Sequence, residues 1–434
     1  MDIGLYFTLS LPRPWQPGAE QELFASSLDQ VQLADELGFD HAWAVEQHFM
    51  EEYSHSSAPE IFLAAASQRT RKIRLGHSVA LTPPGYNHPA RMAERLATLD
   101  LVSGGRIDFG FGNSKSRIEL EGFGIDPDLR REMTLEAVEQ IAHMMSSTPY
   151  RGYEGRFFSM PARNVVPKPV QTPHPPLWIA CSDDETARRA GRLGVGALIH
   201  PFFDAAEAER VVGEYYEAFK SECVPIGHAV NPNVATLDPF YCHDSADTAT
   251  EVGRTAHGFF TYAVRYYYAF GRHRPGFTDI SANLSQVEQA MGTAIPLRGG
   301  HSIGTPESIA ERLQSLAAAG VDQTVLIHSA GRMTHEQVTA SMRLFAKKVL
   351  PRFVSGREER RQAKAEELAP HVEAAFKRKP ASGVSRREDI EVVEAYGLSA
   401  PSVEFDDIEK MPPATQEILH ELQRLKALAM EMEN

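Results

Sequence analysis

The sequence has little cysteine, no long apolar run and no excess of basic residues. Cys181, Cys223 and Cys242 are too few and too scattered for a disulfide framework or a cysteine-rich zinc site, so we expect reduced thiols and no metal. No stretch approaches the roughly 20 apolar residues that cross a bilayer, and the first residues carry no secretory signal, so we expect a cytoplasmic protein without a membrane partner. The formal net charge of −14 argues against nucleic-acid binding, which needs clustered Lys and Arg. The expected partner is a small molecule.

Short apolar runs alternate with segments of helical periodicity along most of the chain, which predicts repeated βα units around a parallel sheet. Gly38, Gly194 and Gly320 lie where the helices should stop, and Thr305-Pro306 resembles a helix start. An open dinucleotide-binding sheet is the alternative, but no Gly-x-Gly-x-x-Gly turn follows the first strand. We therefore predict an α/β protein with a TIM (β/α)8 barrel. The eight predicted strands are residues 3–9, 42–46, 73–81, 107–111, 177–181, 197–200, 234–241 and 324–328.

Two stretches do not fit the repeat. Residues 244–304, after the seventh strand, are too long for a simple connection and are predicted to be an insertion that acts as a lid. The insertion contains an aromatic cluster, Tyr262, Tyr266, Tyr267 and Phe270. The cluster could cover an apolar substrate, but its helical spacing is equally explained by packing of a helix against the barrel. After residue 354 the composition shifts to Glu, Arg, Lys and Ala. We therefore predict a barrel domain at 1–354 and a helical C-terminal extension at 355–434.

Four motifs follow one another along the predicted barrel. They are Trp43-Ala44-Val45-Glu46-Gln47-His48-Phe49, Asn87-His88-Pro89-Ala90-Arg91-Met92-Ala93-Glu94, Leu99-Asp100-Leu101-Val102-Ser103-Gly104-Gly105-Arg106 and Gly304-Thr305-Pro306-Glu307-Ser308-Ile309-Ala310-Glu311-Arg312-Leu313. The ordered set, over about residues 1 to 353, resembles the bacterial luciferase-like flavin-dependent monooxygenases. The resemblance implies a barrel of the bacterial luciferase type. It also implies reduced FMN (FMNH2) supplied by a separate NAD(P)H:flavin reductase, O2 as co-substrate, and insertion of one oxygen atom into a small organic substrate. We further expect a homo-oligomer.

The loops after the strands carry the reactive groups of such a barrel. The resemblance places the FMN phosphate at Ser182, Asp183 and Thr186, at the N-terminus of the helix after strand five, where free N–H groups and the helix dipole favour an anion. Asp183 would repel a phosphate unless its side chain turns away. Ser182-x-x-Glu185 can also be read as a plain capping box.

Two further positions for the flavin are implied by the resemblance. Asn113 stands where the family often has arginine, so Lys115 or Arg117 is the candidate for supplying positive charge, although either is equally explained as a solvated surface residue. A cis peptide bond beneath the flavin ring falls at Ser78–Val79.

Gln47 and His48 are the catalytic candidates. The family often has two consecutive histidines here, and this chain has Gln47 in the first place and keeps only His48. An imidazole exchanges protons near neutral pH, and an amide can orient the flavin or substrate by hydrogen bonds. A packed histidine is the alternative for His48.

Two other functions stay open on the sequence alone. One is hydride transfer by an F420-dependent oxidoreductase of the same barrel superfamily, and the other is a catalytically decayed flavin-binding homologue. The residues after strand two, Glu46-Gln47-His48-Phe49, look more like the oxygenase branch, whereas Gln47, Asn113 and Asp183 are departures from the family pattern.

Overall fold

The computed structural model describes residues 1–200, 204–296, 300–380, 390–393 and 411–432. Its strands are β1 (Asp2–Phe7), β2 (His41–Ala44), β3 (Arg74–His77), β4 (Ala80–Leu81), β5 (Ile107–Gly112), β6 (Tyr150–Glu154), β7 (Ser159–Arg163), β8 (Leu177–Cys181), β9 (Gly196–Ile199), β10 (Val234–Cys242), β11 (Ser302–Gly304) and β12 (Gln323–Ile327). Its helices are α1 (Ala19–Leu37), α2 (Pro59–Arg69), α3 (Pro89–Ser103), α4 (Arg117–Gly122), α5 (Arg130–Ser146), α6 (Asp184–Leu193), α7 (Ala205–Glu222), α8 (Ala246–Arg265), α9 (Ile280–Met291), α10 (Pro306–Ala318), α11 (His335–Lys348), α12 (Pro351–Val354), α13 (Arg357–Arg378) and α14 (Pro413–Met432), and a π-helical turn (Tyr266–Phe270) extends α8.

A closed ring of parallel strands forms the centre of the molecule. The pairing runs β1–β2–β3–β5–β8–β9–β10–β12 and returns to β1. Helices lie between successive strands, so the predicted (β/α)8 barrel is confirmed. The predicted strand 73–81 consists of β3 and β4, which are separated by the Ser78–Val79 peptide bond. The antiparallel hairpin β6–β7 and the short β11 beside β10 were not predicted.

Alternation along each strand divides the core into two layers, because successive side chains of a strand point to opposite faces. Leu5 and Phe7 pack outward against the helices, whereas Tyr6 points into the barrel. Inside the barrel, Trp43 and Trp178 meet edge to face with ring centroids 5.5 Å apart. The interior is therefore filled by side chains, and the strand ends are left to form sites.

The helix ends follow the sequence signals. Gly38 and Gly194 take left-handed backbone conformations at the C-termini of α1 and α6, and the Thr305 side chain accepts a hydrogen bond from Ser308 N–H at the start of α10. None of the helices in the described ranges is both long and apolar enough to cross a membrane.

Helix α13 belongs to the barrel body. The first compact unit runs from Met1 to Ser382, past the predicted boundary at residue 354. Leu368 and Ala375 of α13 are buried against Phe219 and Cys223. The second unit, residues 383–434, contains α14, whose predicted apolar face is exposed at Ile418, Leu422 and Leu425.

Candidate active site

A cavity of about 300 Å³ opens at the carboxyl ends of the barrel strands. This volume lies at the lower end of the usual range for small-molecule pockets. Six of the eight predicted site residues line it, namely Gln47, Ser78, Val79, Asn113, Ser182 and Thr186. His48 and Asp183 are not among the lining residues.

One end of the cavity is cationic. Lys115, Arg131 and Arg189 line it together with the hydroxyl groups of Ser182 and Thr186, at the N-terminus of α6. The ammonium of Lys115 is hydrogen-bonded to Ser182 Oγ. In a chain with a net charge of −14, three cations beside a helix N-terminus give this end of the cavity a local positive charge. Arg131 and Arg189 were not predicted.

Asp183 turns its carboxylate back onto α6. The carboxylate accepts hydrogen bonds from Thr186 N–H at 2.8 Å and from the Thr186 hydroxyl at 2.6 Å. Its N-cap role, helped by Lys115, lowers the pKa of Asp183. The predicted Ser182-x-x-Glu185 capping box is wrong, because Asp183 is the N-cap and Glu185 pairs with arginines of its own helix.

Of the two candidate cations near Asn113, the structure brings one to the cavity. Lys115 lines the cavity, whereas Arg117 is 85% exposed and pairs with Glu121 at 2.6 Å. The two side chains are two residues apart, and only one of them faces the polar end.

The wall beneath the cavity is built from β3, β4 and β5. The Ser78–Val79 peptide bond is cis, as the resemblance implies. A Cβ added at Gly110 would lie 2.0 Å from the His77 carbonyl oxygen, and one at Gly112 would lie 2.5 Å from Val79 Cγ2. Only glycine at these two positions lets β5 lie against the cis segment, so the wall presents backbone and the small Val79 side chain.

Gln47 and His48 face different spaces. The Gln47 amide oxygen accepts a hydrogen bond from the Tyr268 hydroxyl at 3.0 Å inside the cavity. The His48 ring lies in a second pocket of about 70 Å³, where its Nε2 is 3.0 Å from Glu46 Oε1. Glu46 lines both spaces and is therefore the link between His48 and the main cavity.

Glu119 is a carboxyl group of the cavity that the sequence analysis did not single out. The residue is 1% exposed, and its Oε1 accepts the His48 backbone N–H at 2.7 Å while its Oε2 accepts the Ser114 hydroxyl. Burial raises the pKa of Glu119 to about 7, although both hydrogen bonds act in the opposite direction. Such a carboxyl can take up or release a proton near neutral pH.

Comparison with known proteins identifies the family. The model for luciferase-like monooxygenases matches residues 4–323. This chain belongs to that family. The resemblance inferred from the four ordered motifs is thereby confirmed, and the chain is a flavin-dependent monooxygenase by class.

Individual relatives agree with this placement. The oxygenase component of a flavin-dependent trigonelline monooxygenase from Acinetobacter baylyi is 25% identical, covering 79% of this chain and 94% of that protein. The crystal structure of the monooxygenase RslO1 from Streptomyces bottropensis is 26% identical, covers 82% of this chain and all of that chain, and has a TM-score of 0.67.

More distant structures show the fold alone. The oxygenating constituent of 3,6-diketocamphane monooxygenase from Pseudomonas putida, solved with FMN, is 19% identical, covers 81% of this chain and 98% of that chain, and has a TM-score of 0.64. An F420-dependent secondary alcohol dehydrogenase is also 19% identical, covers 80% of this chain and 98% of that chain, and has a TM-score of 0.60.

In this luciferase-like monooxygenase the predicted insertion is helical and packed. Tyr262, Tyr266 and Tyr267 are buried, while Tyr268, in the π-helical turn, lines the cavity with Val264. A π-helical turn shifts the register of a helix, and such turns are frequent at functional sites. The predicted aromatic cluster is thus mainly packing, and the tyrosine that reaches the cavity is the one outside that cluster.

One buried carboxylate anchors the insertion to the loop after β2. Glu52 is fully buried and accepts hydrogen bonds from Ile280 N–H, from Ser281 N–H at 3.2 Å and from the Ser281 hydroxyl at 2.5 Å. The neighbouring Glu51 accepts the Gly276 N–H at 2.7 Å. In this luciferase-like monooxygenase the insertion is thus hydrogen-bonded to the loop after β2 and lines the cavity through Val264 and Tyr268, and its closure as a lid stays a prediction.

Proposed function

We propose that this chain is the oxygenase of a two-component system that uses reduced FMN and O2 to insert one oxygen atom into a small organic molecule. The observation that carries the proposal is the cationic end of the cavity at the N-terminus of α6, lined by Lys115, Arg131 and Arg189. This end suits a phosphate monoester, while the rest of the cavity is mainly apolar and aromatic.

The residues present fit FMN. The Ser182 hydroxyl would hold the phosphate beside Thr186 at the N-terminus of α6, and Lys115 would add the charge that Asn113 lacks. Ser78 and Val79, with the glycines of β5, would support the flavin ring. When bound, the reduced flavin supplies the electrons that activate O2.

The remaining roles belong to the cavity walls. Tyr6, Tyr53 and Tyr268 exclude water from the reacting groups. Gln47, fixed by the Tyr268 hydroxyl, orients the substrate or flavin by its amide. The Glu119 carboxyl holds a proton beside them, and His48 acts from behind the wall through Glu46.

A separate flavin reductase is part of the proposal. The trigonelline relative is named as an oxygenase component, which supports delivery of reduced flavin by another protein. F420-dependent enzymes share the barrel, so the cofactor is decided by experiment.

The test is an anaerobic titration with reduced FMN and, in parallel, reduced F420, followed by measurement of substrate-dependent O2 consumption. We expect tighter binding of reduced FMN than of oxidised FMN or F420. Preferred binding of F420 with no O2 use would overturn the proposal in favour of hydride transfer. Flavin binding without O2 consumption across a panel of substrates would indicate a decayed homologue.

A pair of variants localises the phosphate. Lys115→Gln should weaken binding of reduced FMN about tenfold, as expected for loss of one charge-assisted hydrogen bond. Arg117→Gln is the matched control, because this exposed side chain pairs with Glu121 and does not line the cavity. Equal effects of the two substitutions would contradict the assignment of this end of the cavity to the phosphate.

A further inference from the structure

A second, larger cavity lies at the opposite end of the barrel. It measures about 730 Å³ and is walled by the amino ends of the strands and by helix α13. Asp2, His41 and Arg74 begin or nearly begin β1, β2 and β3, which places this cavity far from the carboxyl ends that carry the active site. The amino end of such a barrel ordinarily serves stability.

Ion pairs explain how α13 is fastened over this end. Arg361 Nη2 lies 2.7 Å from Asp2 Oδ2, and Lys364 Nζ lies 2.6 Å from Asp322 Oδ1. Arg357 pairs with Asp2 as well, at 3.4 Å. These contacts hold the helix across the opening while leaving the cavity beneath it.

The charge of the lining is positive, in contrast to the chain as a whole. Three carboxylates line the cavity, from Asp2, Asp108 and Asp322. Five arginine or lysine side chains line it, which are Arg74, Arg357, Arg360, Arg361 and Lys364. Asp40, just outside the lining, pairs with Arg357, so the excess is one cation. With a formal net charge of −14 on the chain, this local excess of cations attracts an anion to this end of the barrel.

Of the five cations that line the cavity, Arg360 is the one that forms no ion pair within the described ranges. Its guanidinium donates to the backbone carbonyl oxygens of Ser355 at 2.8 Å and Phe353 at 3.0 Å, and within the described ranges it has no carboxylate at salt-bridge distance. The lining also has apolar side chains, from Trp178 and Val321 of the barrel and from Leu368, two turns further along α13. Cationic and apolar groups therefore face the same space.

We propose that this cavity binds a small organic anion, with its acidic group at Arg360 and Arg361 and its apolar body against Trp178 and Leu368. The site does not depend on the flavin chemistry. Helix α13 lies beyond residue 323, where the match to the family model ends, so the site uses a segment outside that match.

The experiment titrates the full chain with anilinonaphthalene sulfonate, an apolar anion whose fluorescence reports binding. N-phenylnaphthylamine, which lacks the sulfonate, and inorganic phosphate, which lacks the apolar body, are the comparison probes. We expect saturable binding of the sulfonate with one site per chain, at least tenfold tighter than either comparison probe, and no displacement by excess FMN. Equal binding of the uncharged probe, displacement by FMN, or no saturable binding would each overturn the proposal.

Variants locate the probe. Arg360→Gln should weaken binding about tenfold. Ala365→Phe fills the cavity from an exposed position on α13, so it should abolish binding without removing an ion pair. Lys377→Gln, an exposed change on the same helix that does not line the cavity, should leave the affinity unchanged. If the sulfonate binds the folded Ala365→Phe chain as tightly as the unaltered chain, the cavity is not its site.

Discussion

Replacing Glu119 by glutamine should stabilise the protein relative to the unaltered chain, and this stability difference should grow as the pH rises. The folded chain raises the pKa of this carboxyl from 4.5 to about 7, because burial disfavours its charged form. Below pH 4.5 the group is protonated in both the folded and the unfolded chain, so burial adds no charge penalty. Between 4.5 and about 7 the folded chain keeps a proton that the unfolded chain has released. Stability from this residue is therefore lost as the pH rises through that window.

The expected size follows from the pKa difference. Each tenfold change in the ionisation constant is worth about 1.4 kcal/mol, so full ionisation of buried Glu119 costs about 3 kcal/mol. Glu119→Gln removes the titration. Its single amide oxygen can accept the His48 N–H, and its amide NH2 can donate to the Ser114 hydroxyl oxygen, which donates to the carboxylate in the unaltered chain. The free energy of unfolding of the variant, relative to the unaltered chain, should grow by about 2 to 3 kcal/mol between pH 5 and 8.

Urea unfolding of both chains at several pH values measures this difference. Glu121→Gln, an exposed change on the same short helix, is the matched control, and its effect should stay within about 0.5 kcal/mol at every pH. A Glu119→Gln difference that does not change with pH would refute the argument. A catalytic role of Glu119 would give a second readout. If oxygenation needs the protonated carboxyl, its rate in the unaltered chain should fall above pH 7. The rate of the Glu119→Gln variant should not show this fall.

The remaining predictions concern the cavity wall, the insertion and the boundary of the barrel body. Tyr268→Phe, which removes the hydrogen bond to the amide in the cavity, should raise KM about fivefold with the fold intact, and unchanged kinetics would assign the tyrosine to packing. His48→Ala should lower oxygenation and increase peroxide release; unaltered coupling of O2 use to product would make this histidine structural. Glu52→Gln should speed hydrogen exchange across α9, and exchange as slow as before would show that other contacts hold the insertion. A chain ending at residue 382 should fold like the full chain, whereas one ending at 354 should be less stable because it loses α13, and equal stability of the two would contradict the described unit.

The barrel could be predicted because its signals are local. Parallel barrel strands are buried on both faces, so each reads as an apolar run, and the strand predicted at 177–181 has the observed bounds of β8. The hairpin β6–β7 was missed because its strands are half-exposed and carry arginine, glycine and proline in place of an apolar run. The insertion was recognised by its length, but its packing involves Glu52, whose partners within the insertion, Ile280 and Ser281, lie more than two hundred residues further along the chain.

The candidate site could be predicted only where a residue follows a strand directly. Gln47, Asn113 and Ser182 follow strands and line the cavity. Arg131 and Arg189 line the cavity from within α5 and α6, so a search of the residues that follow the strands does not find them. His48 is adjacent to Gln47 but faces the other way, which a linear motif does not show.

The pairing of β1 with β12 joins the two ends of the barrel sequence. Asp2 pairs with Gln323, and α13 then bridges Asp2 and Asp322, one on each side of that joint. During synthesis β1 must wait, with one edge unpaired, until more than three hundred further residues have left the ribosome. Helix α13, which is synthesised after β12, then links the ends of the two paired strands through its ion pairs with Asp2 and Asp322. Chains interrupted before β12 should therefore be the ones most exposed to edge-to-edge aggregation in the cell.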